Sequence, residues 1–339
     1  MAVILLVSSL SFYFIYLKKL NNNKVFVFFD SKELSAIGDD RLNYYFESLS
    51  KNKIDAQIAA GGNINAKGPY GESVLMYAVI HNDNPEIIEY LIRKGANVYA
   101  KDDFGANLLQ YAVKTTNENS LDIAKIFIKY GISPNEEDQY GDNALLYACG
   151  VSKNLEMIKM LIENGADINS KNKLGKTALF EAVFGYNESV PEIIEYLVDN
   201  GADVNVKDNS GNTLLTEAVE HGMPYDVVKM LINHGINVNE KNRNGNSALR
   251  IAVFWNAKPE VLRGLLANGA DINEKDANGK TILMGACEHS YADTIRFLVE
   301  NGADVSATDN KGDTALVYAR YNSFVSYKEI KEIFDENKN

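Results

Sequence analysis

Residues 157–183, MIKMLIENGADINSKNKLGKTALFEAV, carry the unit from which most of this chain is built. Met157, Ile158, Leu161 and Ile162 recur at helical spacing and share one face, so the stretch opens on the end of an amphipathic helix. Gly165 follows at once, where a left-handed helix cap calls for a residue without a Cβ. Residues 166–174 are polar around the single anchor Ile168 and close at a second turn glycine, Gly175. Thr177 stands at an N-cap position, and Ala178, Leu179, Ala182 and Val183 open a new apolar helix face.

From about residue 39 onwards the chain repeats this pattern, so the period is read before any local element. The second glycine returns at Gly71, Gly105, Gly141, Gly175, Gly211, Gly245, Gly279 and Gly312, at intervals of 33 to 36 residues. Seven residues after each stands an alanine: Ala78, Ala112, Ala148, Ala182, Ala218, Ala252, Ala286 and Ala319. A small residue there lets neighbouring helices approach closely. The helix-ending glycines Gly95, Gly131, Gly165, Gly201, Gly235, Gly269 and Gly302 keep the same beat.

A period near 33, with paired helices, a turn arm and the phrases GADIN, GADVN, GKTAL and GDTAL, resembles the ankyrin repeat over roughly residues 39–337. The resemblance implies an all-α repeat solenoid of helix-turn-helix repeats with short β-hairpin arms. Its expected parts are an opening cap at 39–66 and eight further repeats at 67–339, nine helix pairs in a curved stack. Such a chain is expected to be a monomeric array without catalytic residues, cofactor or metal, acting as a protein-protein interaction scaffold.

The departures from the family pattern are specific. Where the family opens its first helix with TPLH, this chain keeps a capping residue every time (Ser73, Asn107, Asn143, Thr177, Thr213, Ser247, Thr281, Thr314) and never the proline or the histidine. The N-cap is therefore expected to hold in each unit. Loss of the histidine is expected to remove a polar link between neighbouring units. Four prolines, Pro85, Pro191, Pro224 and Pro259, mark starts of second helices, where the missing N–H has no helical partner anyway. The 36-residue units take their extra length between the two helices, as at 114–120 and 184–190.

The formal net charge of -12 argues against a nucleic-acid backbone as the main partner. Residues 2–17, AVILLVSSLSFYFIYL, carry no charge and are followed by Lys18, Lys19 and Lys24. Sixteen helical residues span about 24 Å, slightly short of a hydrocarbon core of about 30 Å. A single-pass anchor fits this run, and the basic flank then places the repeats in the cytoplasm. A cleaved signal peptide lacks its basic start and small-residue cleavage site here. The third reading is an apolar helix packed on a soluble array. Residues 18–38 read as a connector, with a short apolar run at 25–29.

Cys149 and Cys287 fall in a slot held elsewhere by valines, four units apart, so they read as buried apolar residues rather than a disulfide. His81, His221 and His289 share one slot in well-separated units, which excludes a common metal. No Ser, His and Asp fall together outside repeat slots, and no phosphate-cradling loop follows a strand. What remains is a surface. In the family, partners meet the arm tips and the exposed side of the first helices, the concave face. The arm-tip residue here is Tyr70, Phe104 and Tyr140 in three consecutive units and then Leu174. The residue before the repeat alanine is Tyr77, Tyr111 and Tyr147 in the same units and then Glu181 and Glu217. Phe184, Phe254 and Trp255 add aromatic area at the ends of first helices. These nine aromatics are the candidate binding residues, since rigid rings supply contact area at low entropic cost. The competing reading for Tyr77, Tyr111 and Tyr147 is packing between adjacent units. Glu72, Asp103 and Asp142 beside the strip point to an apolar and basic partner surface.

Overall fold

The computed structural model describes residues 44–115, 117–184 and 188–337. The run at 2–17, the connector at 18–38 and the start of the cap lie outside these described residues. The helices, in order, are α1 Lys51–Ala59, α2 Val74–His81, α3 Pro85–Arg93, α4 Leu108–Lys114, α5 Ser120–Lys129, α6 Ala144–Tyr147, α7 Leu155–Glu163, α8 Ala178–Ala182 and α9 Val190–Asp199. They continue with α10 Leu214–Glu220, α11 Tyr225–Asn233, α12 Ala248–Phe254, α13 Pro259–Ala267, α14 Ile282–His289, α15 Ala292–Glu300, α16 Ala315–Tyr318 and α17 Tyr327–Glu336. A helical turn at 44–47 precedes them. No strand occurs among the described residues, so the repeats are all-helical, in keeping with an α-repeat solenoid.

The chain divides into two compact units, one ending at Ala148 but including Lys159–Ala166, the other made of Cys149–Ile158 and everything from Asp167. In the first unit α2 packs on α4 and α4 on α6, while α3 packs on α5, so first helices form one layer and second helices another. The second unit repeats the plan: α8, α10, α12, α14 and α16 pack in sequence, and α9, α11 and α13 form the other row. The repeat alanines lie where the layers meet, and all eight are 2% exposed or less. A methyl group is the largest side chain that such a contact admits without displacement.

Two glycines show why the beat exists. Gly165 has φ 87°, its N–H donates to Ile162 O at 3.0 Å, and the next N–H, of Ala166, reaches Leu161 O at 3.0 Å. That pair of bonds closes the helix and needs the left-handed region. Gly175 has φ 76°, and a Cβ there would stand 2.8 Å from the Asn209 backbone nitrogen in the next arm. The close approach lets Asn209 N–H donate to Leu174 O at 2.9 Å.

The arms are simpler than two-stranded hairpins. Each is a tight turn, and five of the eight are closed by one antiparallel bridge: Lys67 with Ser73, Lys101 with Asn107, Lys207 with Thr213, Lys275 with Thr281 and Thr308 with Thr314. Side chains tie successive arms together. Asn65 donates to Gly95 O (3.0 Å), Asn135 to Gly165 O (2.7 Å), Asn169 to Gly201 O (3.0 Å), Asn239 to Gly269 O (2.8 Å) and Asn273 to Gly302 O (3.2 Å). Tyr99 occupies the asparagine slot of its own arm and uses its longer reach, its hydroxyl donating to Tyr130 O at 2.8 Å.

Six of the eight expected N-caps bond as read: Ser73, Asn107, Asn143, Thr213, Ser247 and Thr281 each accept from the N–H three residues on. Thr177 and Thr314 make no such bond, and the Thr177 hydroxyl is buried without a partner. Pro85 and Pro259 are the first residues of their helices and Pro191 the second, whereas Pro224 is itself the cap before α11. The missing histidine link is made by other residues in two units. Gln110 Nε2 donates to Asp142 O (2.6 Å) and Glu136 O (3.3 Å). Arg250 donates from Nε to Glu274 Oε1 (2.8 Å) and from Nη2 to Glu274 O and Lys280 O. The last helix, α17, buries Ile330, Ile333 and Phe334 and leaves Lys328, Glu329, Lys331 and Glu332 exposed.

Candidate functional site

The first unit holds three consecutive arms whose tips are Tyr70, Phe104 and Tyr140. The backbones of the first two are fixed twice over and that of the third once. Tyr70 O accepts from Asp103 N–H and Phe104 O from Gln139 N–H, both at 2.8 Å, so these two tips are pinned to the next arm. Within each arm a carboxylate accepts the tip's own N–H: Glu72 for Tyr70 (3.0 Å), Asp102 for Phe104 (2.9 Å) and Asp138 for Tyr140 (2.8 Å). With the backbone held, the rings project outward. Tyr70 is 45% and Tyr140 42% exposed, Phe104 is half-buried, and the Tyr70 and Phe104 ring centres are 6.4 Å apart. A rigid, partly exposed aromatic row loses little entropy on meeting a partner.

The tyrosines before the repeat alanine lie differently. Tyr77 and Tyr147 are buried and Tyr111 is half-buried. Their hydroxyls turn back to the arm carboxylates: Tyr147 donates to Asp138 Oδ2 at 2.5 Å, Tyr111 to Asp102 Oδ2 at 2.9 Å and Tyr77 to Glu72 Oε2 at 3.4 Å. Burial and the bond to Asp138 push the Tyr147 phenol well above its ordinary value. The same bond recurs far along the chain, from Tyr318 to Asp309 Oδ2 at 2.7 Å, and holds the Tyr318 phenol up at about 12. Sequence reading placed these tyrosines in the right slot and missed the carboxylate partner. The signal that finds it is an aspartate nine residues before the tyrosine. The ammonium of Lys114 sits 3.6 Å from the Tyr147 ring centre, and burial lowers its pKa against the pull of Asp138, Asp102 and Asp142. Glu72, expected to face a partner, is buried and engaged, and Asp142 is half-buried, which leaves Asp103 as the exposed carboxylate of the strip.

The remaining candidates belong to the second unit. Phe184 is 37% exposed, its ring 4.9 Å from that of His221. Phe254 and Trp255 are both 58% exposed and meet edge to face at 5.5 Å. Glu217, in the slot the tyrosines hold earlier, is buried against Lys176 at 2.7 Å. Cys149 and Cys287 are free and buried, and burial pushes the Cys287 thiol up to about 12. Among the described residues no group of three or more His, Cys, Asp or Glu side chains is arranged to hold a metal, and no helix is long and apolar enough to cross a membrane.

Comparison with known proteins agrees with the architecture. The chain is 38% identical over 141 residues, 40% of its length, to Ankyrin repeat and SOCS box protein 6 of Homo sapiens, of which the match covers 33%. It is 37% identical over the same length to the protein of that name in Pongo abelii. Over 50 residues, 15% of this chain, it is 40% identical to an ankyrin repeat protein of Fowlpox virus, covering 10% of it. The chain thus matches a third or less of the length of these relatives. The family described as Ankyrin repeats (3 copies) matches residues 47–138, 109–208, 179–276 and 249–334. With nearly all its described residues inside those matches, and with buried repeat alanines and asparagine-to-glycine bonds joining one repeat to the next, the chain belongs to the ankyrin repeat family.

Proposed function

We propose that this chain is a non-catalytic scaffold that captures a protein partner on the aromatic row Tyr70, Phe104 and Tyr140. Ankyrin repeats serve as protein-protein interaction scaffolds, and the observation that favours this stretch is the pinned backbone beneath three part-exposed rings. Tyr111 flanks the row, while Tyr77 and Tyr147 support it from below through their carboxylate bonds. Exposed Asp103 at its centre favours a partner surface of mixed apolar and basic character. Phe184, Phe254 and Trp255 are secondary contacts in the second unit. Neither nucleic acid nor a cofactor enters this reading, and the array acts as a monomer.

The uncharged run at 2–17, followed by Lys18 and Lys19, supports a membrane tether that faces the repeats toward the cytoplasm. It also favours a second reading, in which the repeats act as a sensor or antagonist on neighbouring membrane proteins. Deleting residues 1–24 separates the two, since scaffold binding survives in solution and a lateral membrane role does not. The direct test captures partners from native lysate and measures affinity and thermal midpoint for each variant. Phe104→Ala is expected to weaken binding by about 2 kcal/mol with the midpoint nearly unchanged. A lowered midpoint with affinity intact would place the interface elsewhere.

A further inference from the structure

In three repeats the residue before the repeat alanine is a tyrosine that donates to an arm aspartate nine residues earlier: Tyr111 to Asp102, Tyr147 to Asp138, Tyr318 to Asp309. Two repeats of the second unit keep the aspartate and lack the tyrosine: nine residues after Asp208 stands Glu217, and nine after Asp276 stands Gly285, which leaves the slot without a side chain. Asp276 organises its arm as Asp138 does, with Oδ1 accepting the N–H groups of Asn278 and Lys280, both at 2.9 Å. Nine residues on, inside α14, stands Gly285. Glycine is among the least favourable residues in a helix interior, and nothing about the backbone requires it here, because Gly285 is not among the glycines with positive φ. A Cβ built on Gly285 meets no atom within 4 Å, and among the described residues the second carboxylate oxygen of Asp276 receives no donor.

Gly285 and Asp276 both line a cavity of about 590 Å³, walled by Ile251 and Phe254 of α12 and by Ile282 and His289 of α14. The gap offers what the missing side chain would use: apolar surface from Ile251, Phe254, Trp255 and Ile282, set among asparagines and serines, and the Asp276 carboxylate as an acceptor. We propose that this notch takes a tyrosine side chain from a protein partner, the ring filling the slot at Gly285 and the hydroxyl donating to Asp276 Oδ2. The bond reproduces between two chains what Tyr318 and Asp309 make within one. Charge sets the flanks of the tyrosine. Arg250 and Lys280 on the rim are already paired with Glu274 and Glu288, whereas Glu220 makes no ion pair among the described residues. Basic residues on either side of the tyrosine complement that imbalance. The notch lies in the other unit from the Tyr70, Phe104 and Tyr140 row and does not depend on it.

Trp255 is the chain's one tryptophan and lines the same cavity, so its emission reports occupancy. The probes are an acetylated, amidated heptapeptide of glycine and lysine with one central tyrosine, and its phenylalanine counterpart, titrated into the full chain. The tyrosine peptide is expected to shift Trp255 emission saturably and to bind about 3- to 10-fold tighter than the phenylalanine peptide, the worth of one hydrogen bond. Gly285→Tyr fills the slot from within and abolishes the shift, with the thermal midpoint at or above that of the unaltered chain. Asp276→Asn is a substitution the fold accepts, since Asn172 and Asn242 hold the equivalent place in other arms with the same backbone bonds. It brings the ratio of the two affinities close to one. No shift with the tyrosine peptide, equal affinity for both peptides, or binding retained by Gly285→Tyr would each overturn the proposal. Variants of the aromatic row in the first unit leave this titration unchanged, so the two readings fail separately.

Discussion

Replacing Tyr147 by Phe removes one oxygen and leaves the ring, and so isolates the bond to Asp138. Both residues are buried, at 7% and 8% exposed, and the bond is short, 2.5 Å, with an ionised acceptor. A hydrogen bond to a charged group is worth about 1.5–3 kcal/mol net, and an acceptor left bare in a buried place moves the cost toward the upper figure. Asp138 is not stripped completely, since its other oxygen still accepts from Tyr140 and Asp142 at 2.8 and 3.1 Å. A loss of about 2 kcal/mol is therefore expected, or a fall of about 1 M in the urea midpoint at an m-value of about 2 kcal/mol per M. Two sister substitutions sharpen the test. Tyr111→Phe loses a 2.9 Å bond at a half-buried site, and Tyr77→Phe a 3.4 Å contact, so the costs should fall in the order Tyr147, Tyr111, Tyr77. If Tyr147→Phe leaves the midpoint unchanged, or if the three effects are equal, the carboxylate bonds do not hold the tyrosines, and the slot is free for a partner after all.

Other perturbations bear on the packing and caps. Ala182→Leu forces three more carbons into a fully buried helix contact and should cost about 1–3 kcal/mol by urea denaturation. Thr177→Val removes a buried hydroxyl that has no partner and should be neutral or stabilising, whereas Thr213→Val removes a working cap and should cost about 1 kcal/mol. Arg250→Met leaves Glu274 buried with only Lys241 at 3.5 Å, and a loss of about 3 kcal/mol should show in the same assay. Burial holds the His81 imidazole below its ordinary value, so the unfolded chain takes up the proton first. Its contribution to stability is full above pH ~6.5 and lost as pH falls through the folded-state value, and His81→Asn should flatten the midpoint's fall between pH 7 and 5.

The glycine and alanine periods made the architecture readable because each residue answers a local demand that no other side chain meets. Gly165 needs a left-handed φ, Gly175 needs room beside the next arm's backbone, and Ala182 needs a small side chain at a helix contact. The site was readable only in part. Tyr140 and Tyr147 are seven residues apart and both fall in slots the family uses for partners, yet one is exposed and the other buried. The difference arises because the arm folds back and brings Asp138 under the helix face that carries Tyr147, a contact set by the turn rather than by helical spacing. Likewise the absent family histidine reads as a lost link, while Gln110 and Arg250 restore it because any long donor at that position reaches the next arm's carbonyls. Thr177 and Thr213 are the same residue in the same slot, and nothing in the structure explains why only one of them caps.

The asparagine bonds between arms also act as a ruler for chain length. Asn65, Asn135 and Asn239 each reach a glycine 30 residues ahead, Asn169 one 32 ahead and Asn273 one 29 ahead. The arms keep their register although the repeats differ in length, so the surplus residues are shed into the connections between the paired helices. Those connections are thus the natural points for insertion: a peptide tag spliced between Lys114 and Ser120 should leave denaturation midpoints intact, while one residue added between Asp138 and Gly141 should throw every later arm out of step with the one before it.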